Sequence, residues 1–251
     1  MPTATLVAGL AMTIAEGLGY LAAGLFLRRR HVSDDHRLAA GLFVLWWTLA
    51  GANKLVAGLV GLGAGFGLVG AAAYVAVLQV SLLVVGVSVA CLLGYFTLLF
   101  TGRLGSLVVG IGVGAALFTV LTYSLAASDP VAVGLGTWRT YHVSASSAPP
   151  LVGILAMALL VLPPVVAGLM LFRLSLRLDD TTQRWRASLV AWSIVAWTLG
   201  VQLVATPWFA ESAFLQVGSR VVGLAAAAAS VAAYRPPAWA QRRFGIAASA
   251  S

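Results

Sequence analysis

The sequence predicts an all-α integral membrane protein, a bundle of seven transmembrane helices with its N-terminus outside and its C-terminus inside. Three observations carry that expectation. First, 61% of the 251 residues are apolar and 9% are charged, and the mean hydropathy is +1.00. A soluble domain carries about 25% charged residues, and a soluble core of ordinary size cannot hide so much apolar side chain. The same composition excludes intrinsic disorder, whose signature is low hydrophobicity. Second, the apolar residues fall into runs close to the ~20 residues that a ~30 Å hydrocarbon core requires. Third, the arginines between those runs lie almost entirely on one side.

The first run goes from Thr5 to Leu27 and stops at Arg28-Arg29-Arg30. No basic residue precedes it, so it does not read as a cleavable signal peptide, and the first helix is expected to be retained. The second run goes from Leu38 to about Gly61. From Gly67 to Thr101 nothing is charged, which suits one long, tilted helix, and Gly102-Arg103 ends it. Leu104 to Ala127 makes the fourth helix, and Ser128 to Pro150 reads as a true loop holding Asp129, Pro130, Trp138, Arg139, Tyr141 and His142. The fifth spans Leu151 to Phe172, with a kink expected at Pro163-Pro164. The sixth runs from Ala187 to about Pro207 and the seventh from about Ser212 to Tyr234. Residues 1–235 therefore form the membrane domain, and 236–251, opening on Pro236-Pro237, a short basic cytoplasmic tail.

With the N-terminus outside, the inner segments hold Arg28, Arg29, Arg30, Arg37, Arg103, Arg173, Arg177, Arg184, Arg186, Arg235, Arg242 and Arg243, and the outer segments only Arg139. This is the positive-inside pattern of a multi-pass protein of the cell membrane. The net charge of +8 is thereby assigned to topology and to anionic head groups. No contiguous basic surface follows a phosphate backbone, so the partner is the lipid bilayer and not nucleic acid. The alanine run at 225–229 and the many glycines read as helix-packing surfaces, which leaves oligomer formation open. The single Cys91 permits neither an intrachain disulfide nor a multi-cysteine metal site.

Ionisable groups within a bilayer cost roughly 2.5–3.5 kcal/mol each even on lenient scales, so each needs a reason. Glu16, Lys54 and Arg220 fall inside predicted spans, and Lys54 is the only lysine. At ~1.5 Å per residue, Glu16 lies about 16 Å, and Lys54 and Arg220 about 10 Å, below the outer helix ends. Thr13, Glu16 and Tyr20 share a helical face, as do Trp47, Gly51, Lys54 and Gly58. On the seventh helix Ser212, Gln216, Ser219, Arg220 and Gly223 make a polar stripe. Gln79 and Gln202 are expected to come in from the third and sixth helices, and Asn53 to face the first. Two readings follow: an outward-facing polar pocket with one excess positive charge, suited to a carboxylate, or a buried ion pair that fixes helix register. Trp46, Trp47, Trp192 and Trp197 lie deeper than an interfacial belt. They either pack on one another or flank a flat apolar ligand.

The sequence does not read as an enzyme. It has no His-Glu-x-x-His, no Gly-x-Ser-x-Gly and no carboxylate pair within a span. His31 and His36 flank Asp34 and Asp35 in a loop, which reads as solvated and not as a metal site. No histidine within a span offers itself to haem. The residues identify no cofactor.

The chain resembles the microbial rhodopsin (bacteriorhodopsin-like) superfamily, thinly but from end to end. The connection Phe26 to Asp34 is similar to that family's short Val-Ser-Asp turn. Trp192-Ser193 and Trp197 resemble its Trp-Ser and second Trp, which pack against retinal there, although these two are five apart and closer than in the family. Pro207 and Glu211 look like the outer end of its sixth helix. Val217-Gly218-Ser219-Arg220-Val221 is similar to the stretch that carries the retinal lysine. Arg220 stands in that lysine's place, and a guanidinium forms no Schiff base. The third helix also lacks a proton pump's arginine and aspartates.

The resemblance and the charge pattern together imply an opsin-like heptahelical sensor or ligand-binding protein without Schiff-base pigment chemistry. Its expected site combines Glu16, Tyr20, Trp47, Lys54, Gln79, Trp192, Trp197, Gln202, Gln216 and Arg220, for a small apolar or anionic ligand. The alternative is a transporter that holds a small anionic solute at the same cluster.

Overall fold

Hydrocarbon-length apolar runs leave the backbone no partner but itself, so they fold as helices. A computed structural model describes residues 4–29, 37–126, 129–131, 142–144, 149–203 and 213–246 of the chain. Its helices are α1 (Ala4–Arg28), α2 (Arg37–Gly65), α3 (Ala71–Thr101), α4 (Leu107–Ala126), α5 (Pro150–Ser175), α6 (Thr181–Trp197), α7 (Ala213–Tyr234) and a short α8 (Ala238–Phe244). Among the described residues six of them, α1 to α5 and α7, are long and apolar enough to cross a membrane. The protein is thus a predominantly helical, multi-pass membrane protein. α6 has 17 α-helical residues and continues directly into a π-helical stretch, Thr198–Leu203. The connections at 30–36 and 204–212, which hold His31, Asp34, His36, Pro207, Glu211 and Ser212, lie outside the described residues, as do Trp138, Arg139 and Tyr141.

Several boundaries differ from those expected, each for a local reason. α2 continues past Gly61 to Gly65, because glycines in an apolar run need not interrupt a helix; the chain turns at Gly67 with φ 74°. α3 ends at Gly102, whose φ of 63° lets its N–H reach the Leu98 carbonyl at 2.8 Å. α6 begins at Thr181 and not at Ala187, since the Asp180 carboxylate caps it by accepting from the backbone N–H groups of Thr182 (2.7 Å) and Gln183 (3.4 Å). α5 runs as one helix through Pro163 and Pro164. The segment expected to be a plain loop contains an antiparallel pair, Asp129–Val131 with His142–Ser144. Within the tail, Pro237 and Gly245 bound α8. Trp239 and Phe244 of α8 pack with Trp185 of α6, at ring separations of 6.2 and 5.9 Å.

The helices pack in chain order, α1 on α2 through to α6 on α7, and α7 returns against α1. The α1–α2 crossing is close: a Cβ at Gly17 would stand 2.6 Å from the Leu55 nitrogen, and one at Gly51 2.7 Å from the Leu21 nitrogen. Small residues permit such backbone approach where lipid offers no hydrophobic drive. Hydroxyls link other helices. Ser230 donates to the Ser193 hydroxyl at 2.9 Å, Ser175 and Ser188 meet at 2.9 Å, and the Trp185 indole donates to the Ala232 carbonyl at 3.1 Å. Val80, Ile111 and Leu162 face outward, while Tyr20, Trp46, Trp47 and Phe96 are buried. Tyr20, Trp46 and Trp47 thus sit inside, where Val80, Ile111 and Leu162 do not. That arrangement leaves an aromatic wall beside Glu16, the one acidic residue buried among the described residues.

Candidate functional site

Glu16 sits on α1 on the same face as Thr13 and Tyr20, and all three are buried. Tyr20, one turn on, donates its hydroxyl to Glu16 Oε1 at 2.5 Å. From α7, 204 positions away, Arg220 Nη1 donates to Oε2 at 2.7 Å. From α2, Lys54 Nζ stands 3.4 Å from the same oxygen. The extra turn of α2 matters here: measured from Gly65, Lys54 lies about 16 Å from the helix end, level with Glu16 at about 18 Å from Ala4. The small faces of α1 and α2 then let the lysine reach the carboxylate.

The charges do not balance. One carboxylate faces two cations, and among the described residues no second acid joins them. Glu16 is fully buried, whereas the side chains of Lys54 and Arg220 keep 20% and 14% of their exposure. A lone carboxylate there would be prohibitive, and one cation would neutralise it. The second cation leaves an excess positive charge in a medium that screens it poorly. Arg220 Nε has no hydrogen-bond partner among the described residues, so the guanidinium retains donor capacity.

The aromatic wall continues from Tyr20. Trp47 meets it edge-on at 5.0 Å, Trp46 lies 4.3 Å from Trp47, and Trp197 of α6 abuts Trp46 at 5.1 Å, nearly perpendicular. These tryptophans pack on one another. The indole N–H groups of Trp46 and Trp47 have no partner among the described residues. A cavity of about 30 Å³ adjoins this wall, lined by Lys54, Asn53, Ser88 and Trp197 among others. It is large enough for about one water molecule. The Ser88 hydroxyl that borders it is buried and unpartnered among the described residues.

The structure brings Glu16, Tyr20, Trp47, Lys54, Trp197 and Arg220 into one region, and Gln216 is buried one turn before Arg220 on α7. It does not bring in Gln79, which is exposed on the first third of α3. Trp192 is 49% exposed. Five residues turn an α-helix by about 140° beyond one full turn, so Trp192 and Trp197 cannot flank one space. Gln202 falls in the π-helical stretch, and its side chain lies outside the described residues. Asn53 faces α3 and not α1, and its carbonyl oxygen accepts from the Ser81 hydroxyl. The polar groups that α3 contributes are therefore Ser81 and Ser88, which the sequence reading passed over. Their spacing of two helical turns puts them on one face, and that was the available signal.

No protein-family model, curated protein or solved structure matches this chain.

Proposed function

We propose that this chain is a seven-span protein of the cell membrane, N-terminus outside and C-terminus inside, whose buried cationic centre binds the anionic group of a small ligand. Six helices of membrane length support the span count, together with α6 and its π-helical extension. The arginine asymmetry supports the direction. The opsin resemblance enters as helix order alone, since Arg220 is engaged by Glu16 and forms no Schiff base. We read the protein as a heptahelical sensor or binding protein. The observation that carries this is the Glu16 carboxylate shared by Arg220 at 2.7 Å and Lys54 at 3.4 Å, which leaves one positive charge over.

The test uses the intrinsic fluorescence of the purified protein in lipid nanodiscs, titrated with bromide, acetate and longer carboxylates. A saturable change that disappears in Lys54→Met supports the reading. No saturable response to any of these anions overturns it. A transporter is the second reading, favoured by the π-helical turn that directly follows Trp197, because wide turns of this kind recur at functional sites. Anion flux into proteoliposomes, abolished by Arg220→Ala, selects the transporter; saturable binding without flux selects the sensor.

A further inference from the structure

We infer that the ligand is a single-chain amphiphile with a carboxylate head, entering sideways from the bilayer between α2 and α3; this rests on the anion-binding reading above. The first ground is a groove of about 380 Å³ between those helices, walled by Ala57, Val60, Val77 and Val80. Its size falls within the roughly 300–1,000 Å³ of small-molecule sites. Val80 is 61% exposed and Ala57 is exposed, so the groove opens to the hydrocarbon.

The second ground is continuity with the charge centre. The groove and the small cavity beside Lys54 share Leu49, Asn53 and Val84 in their walls. The Asn53–Ser81 hydrogen bond lies where the two meet; away from it the groove wall is aliphatic except for Tyr74 near the start of α3. The path thus changes from aliphatic to polar to cationic, the order of an acyl chain followed by its head group. Beyond that junction stand the Ser88 hydroxyl, which has no partner among the described residues, and the Lys54 side chain, which pairs with Glu16.

The third ground is charge. A carboxylate beside Lys54 makes two anions and two cations, so the buried excess vanishes. An uncharged chain would fill the groove and leave the imbalance. A small inorganic anion would balance the charge and leave the groove to lipid. Only an amphiphile satisfies both.

The experiment titrates nanodisc-embedded protein with a fatty acid brominated near its carboxylate, read by quenching of tryptophan fluorescence. Its methyl ester, acetate and bromide serve as comparisons. The acid is expected to quench saturably, with the ester and acetate at least tenfold weaker. Lys54→Met is expected to lose the acid's effect. Ala57→Phe, which adds bulk to the exposed groove wall and spares the core, is expected to weaken the acid at least tenfold while leaving bromide unchanged. If acetate and bromide act as strongly as the acid, or Ala57→Phe changes nothing, the amphiphile is overturned and the anion centre stands. If no anion acts at all, both fall.

Discussion

Arg220 holds Glu16 more tightly than Lys54 does: its Nη1 is 2.7 Å from the carboxylate oxygen that Lys54 approaches only to 3.4 Å. The two cations therefore have unequal structural weight. Arg220 forms the hydrogen-bonded pair that makes a buried Glu16 tolerable, and Lys54 is the surplus charge. Glu16→Gln leaves both cations unpaired and is expected to cost about 3–5 kcal/mol of stability. Lys54→Met leaves a balanced pair and is expected to cost less than about 1 kcal/mol, or to stabilise. Equilibrium unfolding in mixed micelles measures both, and equal losses would refute this division of roles.

Tyr20→Phe removes a single donor and leaves the ring against Trp47 in place. One carboxylate oxygen then lacks its 2.5 Å partner. The expected loss is about 1–3 kcal/mol, the range for a buried polar atom left unsatisfied. Because Tyr20 and Arg220 act on one carboxylate, their effects should not add. Tyr20→Phe in a Glu16→Gln background should cost measurably less than in the native protein. Strict additivity in that cycle would mean the hydroxyl contributes nothing through Glu16.

The α1–α2 crossing sets how far Lys54 can reach. A methyl group at Gly51 would stand 2.7 Å from the Leu21 nitrogen, closer than van der Waals contact allows, whereas one at Gly41 meets nothing within 4 Å. Gly51→Ala is expected to destabilise by about 1–3 kcal/mol, the usual cost of overpacking. Gly41→Ala should be neutral or slightly stabilising, as alanine is the better helix former. Unfolding of the two variants side by side distinguishes packing from helix propensity; similar values would place the tight crossing elsewhere.

Six of the seven expected spans were legible because hydrocarbon imposes both length and helicity, and Glu16, Lys54 and Arg220 because a charge in an apolar run stands out wherever it points. Facing was harder. α3 is apolar nearly all round over its first third, so no periodicity told Gln79 from Ser81, and the larger amide drew attention away from the serine that bonds Asn53. Trp192 and Trp197 looked alike as deep tryptophans, yet their angular separation sends one to lipid and one to the core. α8 is seven residues long, too short for a pattern, and its position depends on the Trp185 ring that Phe244 meets.

The proposed direction of insertion has its own test, since the protein supplies a nearly cysteine-free background. Cys91 is buried at 6% exposure, so Cys91→Ala gives a silent host. Ala4 begins α1 and Arg243 lies in α8, and both side chains are exposed. If the arginine-rich ends face the cytoplasm, a membrane-impermeant maleimide added to intact cells labels Ala4→Cys and spares Arg243→Cys until the membrane is opened. Seven spans put the two sites on opposite faces, and six put them on the same face. Labelling of both from outside, or of neither, would remove α6 from the set of membrane-crossing helices. Labelling of Arg243→Cys alone would invert the molecule and carry the α2–α3 groove into the inner leaflet.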